Sequence, residues 1–316
     1  MDLDLDKKRR FLFALEKIAR ETGQKVLCCK KMEISDTHEY KGHESSTVDA
    51  YAREKMQSAI DTYLPDFEGI IRFELRPFSR SFLEKKDQKQ PMVLIIDEID
   101  GTTNTKRCLA ANLDYRPVAG VSIALSLSEL LKDLVVGVFY TLDSGETFSS
   151  FRMEKEFLSF RNNVLMDPSE IAQRRGDSKK RILVVGYSNS HRKKKGEVEQ
   201  ALFDDKFTVY DGCRASSMDI INIIRNAYDA YIDLRTYWST RNEKGEEKEA
   251  MLQVYDVAGV IPVVEGCGLV ATDALGEPWE RYGLDDSIPL VIARPDIHSD
   301  ILRVIKPFVR QWKNDL

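Results

Sequence analysis

No stretch of the 316-residue chain approaches the ~18 consecutive apolar residues of a membrane-spanning helix. Cysteine is scarce: Cys28, Cys29, Cys108, Cys213 and Cys267 are odd in number and none stands at CxxC or zinc-ligand spacing, which speaks against a disulfide framework or a structural zinc site. A basic excess is missing too, with 47 Lys and Arg against 52 Asp and Glu for a net charge of -5, so no nucleic-acid partner is expected. His38, His43, His191 and His298 show no ligand spacing, and the chain holds no GxSxG elbow, P-loop or internal repeat. Residues 1–10 alternate Asp and Leu ahead of a Lys/Arg cluster and lack the apolar core of a signal peptide. The expectation is a soluble cytoplasmic protein with no membrane partner.

What is present is apolar residue, 42% of the chain, enough for a sizeable core in one large or two smaller domains. Phe11, Leu12, Leu15, Ile18, Ala19 and Thr22 recur at helical spacing before Gly23, which reads as an amphipathic helix ending at a Gly C-cap. Ala52, Met56, Ile60 and Tyr63 share one face of a second helix that starts near Asp49 and stops before Pro65. The period then changes. Residues 92–96 form a continuous apolar run of strand length leading straight into Asp97, and residues 118–127 and 134–140 read as two more strands. From 151 to 180 no clean apolar period survives, which predicts two halves, 1–150 and 151–316. In the second half, strands at 182–186, 207–210, 231–234 and 269–272 accompany helices at 197–202 and 218–227, and Pro307 interrupts a last amphipathic helix. The basic run at 192–195 reads as a solvated loop or helix start. The charged stretch 237–252 reads as an exposed insertion, either disordered or a mobile lid.

Asp97, Glu98, Ile99, Asp100, Gly101, Thr102, Thr103 and Asn104 follow the apolar strand directly. A carboxylate at a strand end and another three residues on can face one point. Gly101 permits a close turn, and the N–H groups of Gly101 and Thr102 would open a helix, whose N-terminus attracts anions. Carboxylates beside an anion site repel the anion unless a cation intervenes. The arrangement therefore implies a hard divalent metal bridging carboxylate and phosphate oxygens, with Mg²⁺ as the default. A bare Asp-Gly pair would be ordinary turn chemistry; the strand before it, the two acids and the Thr-Thr after it favour the metal.

These residues resemble a known family. Asp97 to Asn104 is similar to the DPIDGTTN motif of the inositol monophosphatase family of Mg²⁺-dependent, lithium-sensitive phosphatases, which includes archaeal-type fructose-1,6-bisphosphatases. Tyr255, Asp256, Val257, Ala258 and Gly259, then Glu265, Gly266, Cys267 and Gly268, resemble its WDxAxG and EAGG signature. Val270 to Trp279, with Asp273 and Gly276, continues like the family's closing strand and turn.

The resemblance implies an α/β protein with the layered sugar-phosphatase fold, αβαβα, made of an α+β N-terminal half and an α/β C-terminal half with the site in the cleft between them. It implies Asp97, Asp100, Asp256 and the Ile99 carbonyl as metal ligands, and Glu74 as the upstream acid, whose separation from Asp97 matches better than that of Glu68. One Mg²⁺ would be held by Glu74, Asp97 and Ile99, a second by Asp97, Asp100 and Asp256, with two or three ions per site, Mn²⁺ as an alternative metal and inhibition by Li⁺. An Asp at position 256 would also start a helix, through Val257, Ala258, Val260 and Ile261.

Thr102 resembles the family's threonine that holds the attacking water and Asp49 the aspartate paired with it, so Asp49, Thr102 and Glu74 form the catalytic set; Asp49 reads equally as a helix N-cap. Asp229 to Arg235 resembles the DAYxE/D segment, which sets Asp233 against substrate hydroxyls and Arg235 against a second phosphate. Arg214, Ser216 and Ser217 would line the substrate pocket, with Gly101 and Thr102 on the phosphate. The expected reaction is direct in-line attack of water with no phosphoenzyme, since no Cys, His or Ser nucleophile accompanies the motif. Inositol-1-phosphate ranks first as substrate, fructose-1,6-bisphosphate close behind, and a 3′-phosphoadenosine nucleotide third; a homodimer is expected, and a catalytically silent binding protein is the rival. Three departures stand out. Glu98 replaces the motif's Pro, adding charge beside the metals and removing a fixed φ; Tyr255 replaces Trp; and Pro262 falls inside an expected helix at a cost of ~3 kcal/mol.

Overall fold

The computed structural model describes residues 3–29, 36–40, 43–73, 76–79, 91–110, 115–172, 180–185, 192–238 and 251–314. Helix α1 (Leu5–Leu27) starts where the Asp4 side chain accepts from the Lys7 N–H at 2.8 Å. It runs on past Gly23. A Cβ at that position would lie 2.6 Å from the Tyr140 ring, so this glycine serves close packing on a sheet and not helix termination. Strands β1 (Asp36–Tyr40) and β2 (His43–Ser46) pair antiparallel, and α2 (Thr47–Tyr63) follows with Val48, Ala52, Met56, Ala59 and Ile60 buried along one face.

β3 (Gly69–Phe73), β4 (Arg76–Ser79), β5 (Met92–Asp100), β6 (Gly120–Ser126), β7 (Leu134–Thr141), β8 (Thr147–Met153), β9 (Glu156–Arg161) and β10 (Val164–Leu165) form one eight-stranded sheet in the order β10-β9-β8-β7-β6-β5-β3-β4. β3 and β5 pair in parallel and the other neighbours antiparallel. Helix α3 (Thr102–Ala110) leaves the end of β5. Residue 150 falls within β8, so the change of sheet comes after Leu165. Hydroxyls hid these strands: Ser149, Ser150 and Ser159 are buried, their Oγ atoms donating to Glu16 Oε1, the Leu158 carbonyl and the Val263 carbonyl.

The second sheet comes from β11 (Lys180–Val185), β12 (Phe207–Asp211), β13 (Ala230–Asp233), β14 (Val270–Asp273) and β15 (Leu290–Ala293), in the order β12-β11-β13-β15-β14. Helices α4 (Pro168–Ala172), α5 (Arg192–Asp204), α6 (Ser216–Ile224), α7 (Arg235–Trp238), α8 (Val254–Val257), α9 (Ile261–Gly266) and α10 (Pro295–Asn314) connect and cover it. Pro262 lies in the first turn of α9, where a missing N–H deprives no carbonyl of a partner, so the expected helix-interior penalty does not arise. Pro307 does sit inside α10, which continues through it. Of the charged insertion, residues 239–250 lie outside the described residues. No described helix is long and apolar enough to cross a membrane.

Three cores define the layers. Leu94 and Ile96 of β5 pack with Leu15 and Ile18 of α1 and Met56 of α2. Val93 and Ile95, on the other face, pack with Ile220 of α6, Val257 of α8 and Val263 of α9, and with Tyr231 and Ile292 from the second sheet. That sheet's far face, through Ile232 and Val291, meets Val198 of α5 and Ile301 of α10. The order is helix, sheet, helix, sheet, helix, which is the expected αβαβα arrangement. The middle helices approach the first sheet so closely that a Cβ on Gly137 would lie 2.6 Å from the Gly259 carbonyl, and one on Gly259 would lie 2.4 Å from Ser122 Oγ.

Glu265 of α9 accepts from the Trp279 indole N–H at 2.6 Å, and burial pushes its carboxyl up to about 7 from 4.5. The folded chain thus holds a proton that the unfolded chain has lost, and this contribution to stability declines as pH rises from about 4.5 to about 7. Glu265→Gln keeps the acceptor for Trp279 and removes the charge. It is expected to raise stability by about 1–3 kcal/mol at pH 8 and to leave it unchanged near pH 4, as read by thermal unfolding at both pH values.

Candidate active site

Strand β5 is not regular where it meets the acidic motif. Its residues pair with β6 as Asp97 with Ser122 and then Asp100 with Gly120, so three steps on one strand oppose two on the other. This is a β-bulge. In an unbroken strand, residues three apart face opposite sides; the extra residue returns Asp100 to the side that Asp97 shares with Val93 and Ile95. Ile99 packs into the α1/α2 core instead, and Glu98 pairs with Arg53 of α2 on that same side. The charge of Glu98 therefore does not stand among the aspartates, as the sequence had suggested, but behind them. Burial raises its carboxyl to about 7, with Arg53 opposing the rise.

Gly101 then turns the chain at φ 94°, with Ala119, Ala215 and the Val118 carbonyl each 3.0 Å from any Cβ it could carry. Thr102 opens α3 and its Oγ1 lies 2.7 Å from Asp49 Oδ1 and 2.9 Å from the Ile99 carbonyl. A hydroxyl has one proton, so it donates to one of these at a time and keeps its lone pairs for another donor. Helix α2 begins at Thr47, which places Asp49 inside the first turn and not at the N-cap; the positive end of the helix still favours its charge.

Asp100 reaches the second half of the chain. Its Oδ1 accepts from the Ser216 N–H at 2.9 Å, and its Oδ2 from the N–H groups of Ser217 at 2.7 Å and Met218 at 3.2 Å, so it caps the N-terminus of α6 from the other sheet. Ser217 Oγ donates to the Asp256 carbonyl. Asp256 stands at the third position of α8, its carboxylate accepting from the Gln253 N–H at 2.9 Å. Burial first, and the neighbouring Asp256 second, push Asp100 up to about 8 despite the Met218 and Ser217 bonds; burial likewise raises Asp256. A buried carboxylate whose proton affinity is raised by a second carboxylate beside it marks a place where a cation would be stabilised.

Asp233 and Arg235 are brought together. The Arg235 Nε lies 3.0 and 2.9 Å from the two Asp233 carboxylate oxygens, its Nη2 donates to Oδ2 at 2.6 Å, and Tyr231 OH donates to Oδ2 at 3.1 Å. The same Nη2 lies 3.3 Å from Ser216 Oγ. Arg235 thus orients Asp233 rather than standing ready for a second phosphate. If Asp233 meets substrate hydroxyls as the family resemblance implies, Arg235→Ala is expected to raise KM about fivefold for inositol-1-phosphate and fructose-1,6-bisphosphate alike, because the carboxylate loses its orienting partner; steady-state kinetics with both compounds checks this.

Among the described residues, no three His, Cys, Asp or Glu side chains stand close enough to hold a metal ion as arranged. The donor chemistry nonetheless fits a hard divalent cation: Asp97 and Asp100 are buried carboxylates on one side of the bulge, with Asp256 near Asp100. Glu74 lies outside the described residues. Its rival Glu68 is exposed and precedes β3 at the Met92 end of the sheet, five residues back from Phe73, which pairs with Ile96. At one residue per ~3.3 Å, that is roughly 16 Å from the motif, which removes Glu68 from the site. Arg214 is exposed just before α6 in the left-handed region at φ 66°.

Three contributors were not recognised in the sequence. Asn104 Nδ2 donates at 2.8 Å to both the Val118 and Cys213 carbonyls, and the Asp219 carboxylate accepts from the Cys213 N–H at 2.9 and 3.1 Å; together they fix the loop before α6. The third, Arg53, stands one helical turn after Asp49, a spacing that carries a usable signal.

A five-layer αβαβα fold sets an acidic strand-end turn against the N-terminus of α6. The model of the inositol monophosphatase family matches residues 7–305, and the chain belongs to that family, whose members are generally metal-dependent phosphatases. In fold it is similar to the extragenic suppressor protein suhB from Bartonella henselae, with 17% identity, a TM-score of 0.66, and 93% of this chain and 97% of that one covered. It is similar also to SaIMPase-II bound to inositol monophosphate, with 15% identity, a TM-score of 0.64 and 96% and 97% covered. The 2′AMP-bound form of SaIMPase-II gives 14% identity, 0.64, and 95% and 96%. No curated protein matches the chain.

Proposed function

We propose that this protein is a Mg²⁺-dependent phosphomonoesterase that hydrolyses a small sugar or polyol phosphate, inositol-1-phosphate or fructose-1,6-bisphosphate. The reading is carried by the bulge in β5, which returns Asp100 to the side of Asp97 and against α6 while Thr102, two residues on, meets Asp49. Glu74, Asp97, the Ile99 carbonyl, Asp100 and Asp256 would hold the metal. Mg²⁺ supplies, when bound, charge neutralisation at phosphoryl oxygens and acidification of a coordinated water.

The chain's own residues do the rest. Thr102 donates its single hydroxyl proton to Asp49, so a lone pair accepts from the attacking water and aligns the water's free electron pair with phosphorus. The N–H groups of Gly101 and Thr102, at the start of α3, receive phosphate oxygens. Asp233, held by Arg235 and Tyr231, accepts from substrate hydroxyls, and Ser216, Ser217 and Arg214 border the same pocket. Attack is direct and in line.

The test is phosphate release by the purified protein, with Mg²⁺ and then with excess chelator, from inositol-1-phosphate, fructose-1,6-bisphosphate, 3′-phosphoadenosine 5′-phosphate and 2′-AMP. The last is included because a similar fold carries 2′AMP. Chelator-sensitive release from a sugar or polyol phosphate supports the proposal. Preference for the adenosine compounds moves the enzyme to the nucleotide branch, and no release from any of the four leaves a silent binding protein.

A further inference from the structure

Arg53 and Glu98 form an ion pair behind the acidic motif, Arg53 Nε donating to Glu98 Oε1. Glu98 is 0% exposed, and among the described residues neither its Oε2 nor Arg53 Nη2 has a hydrogen-bond partner. A pair made by a buried carboxylate and a half-buried guanidinium adds little net stability, and apolar replacements of such pairs are often neutral or stabilising. Its location is more informative. Arg53 follows Asp49 by one turn of α2, so both side chains leave the same helix face. The Arg53 guanidinium also lies 5.4 Å from the centre of the Phe73 ring, at the end of β3. Three elements therefore meet at one guanidinium: the helix carrying Asp49, the end of β3 that precedes Glu74, and the bulge carrying Asp97, Ile99 and Asp100.

We propose that the Arg53–Glu98 pair is a positioning device for the reaction, holding α2 against the bulge so that Asp49 stays within reach of Thr102 and the Ile99 carbonyl keeps its direction. Both residues act through others and neither touches substrate. The motif that this turn resembles has proline in place of Glu98, where a ring restricts φ; here a side-chain tether to the neighbouring helix takes over the restraint. The inference rests on the roles proposed above for Asp49 and Thr102.

The test compares Arg53→Met, Glu98→Met and the double variant by thermal unfolding, kinetics and hydrogen exchange of the amides at 102–105. Each single variant strands a buried charge or removes half the tether and is expected to lose stability. The double variant is expected to regain the wild-type melting temperature, yet to keep a kcat about tenfold low with KM little changed, and 102–105 amides that exchange about tenfold faster, because small misplacements of a catalytic contact are costly. Recovery of kcat and exchange together with stability would overturn the proposal and leave the pair a packing feature. Should the double variant not fold, Arg53→Lys decides: lower kcat at unchanged KM and melting temperature supports the tether, unchanged kcat refutes it. If the wild-type protein releases no phosphate from any compound, the functional reading fails, while the exchange rates still report whether the pair restrains the turn.

Discussion

Asp97→Asn is expected to reduce phosphate release to below about a thousandth of wild type, about 4 kcal/mol of transition-state stabilisation. Asp97 is buried at the end of β5, on the side of the bulge that Asp100 shares, and is the acid proposed to bridge both metal positions. Asparagine is nearly isosteric, and its amide oxygen can still accept from the Ile99 N–H, 3.2 Å from Asp97 Oδ1. The fold should survive, with a melting temperature close to wild type in chelator. What disappears is the charge, and a hard divalent cation bound through carboxylates loses affinity when a bridging one is neutralised. Calorimetric Mg²⁺ titration should show binding weakened by orders of magnitude. Wild-type turnover by the variant at saturating Mg²⁺ would remove Asp97 from the site.

Thr102→Ala should lower kcat by ~10²- to 10⁴-fold with little change in Mg²⁺ affinity. Its backbone N–H survives the substitution and remains at the start of α3, so phosphate binding persists. Only the hydroxyl between Asp49 and the attacking water is lost, and an interaction made mainly in the transition state appears in kcat. Thr102→Ser restores that hydroxyl and should restore most of kcat. A Thr102→Ala enzyme with near-normal kcat would reduce the 2.7 Å contact with Asp49 to a structural link.

The parts of this architecture that could be read from sequence are those with long, unmixed periods. Residues 92–96 announced β5, and the apolar faces of α1, α2 and α10 announced helices, because each buries one continuous surface. β15 escaped notice because Leu290 to Ala293 is an unbroken apolar run, which periodicity alone does not separate from a buried helix segment. β8 and β9 were obscured by serines that are buried because the fold supplies acceptors for them. The site divides the same way. Asp49, Thr102, Asp100 and Asp256 sit in local motifs; in the fold Thr102 contacts Asp49, and Asp100 and Asp256 each bond Ser217. The return of Asp100 to the side of Asp97 could not be read, since it depends on a bulge that exists only against β6, whereas Glu98 turns away from Asp97 by simple alternation. Nor could the engagement of Arg235 by Asp233, because a two-residue spacing does not say whether the side chains turn toward each other.

The close seating of α8 and α9 on the first sheet also bears on how the chain is made. β9 ends at Arg161, but the helix that packs against it ends only at Gly266, roughly 100 residues later. At translation rates of ~5–20 residues per second, one broad apolar face of a nearly complete sheet waits ~5–20 s for its cover. Truncated or stalled products that stop before α6 would expose Val93, Ile95 and Phe157, and those that stop between α6 and Gly266 would leave their cover incomplete. Recombinant fragments cut there should aggregate, and soluble yield should depend on chaperone supply during synthesis more than on the stability of the finished protein.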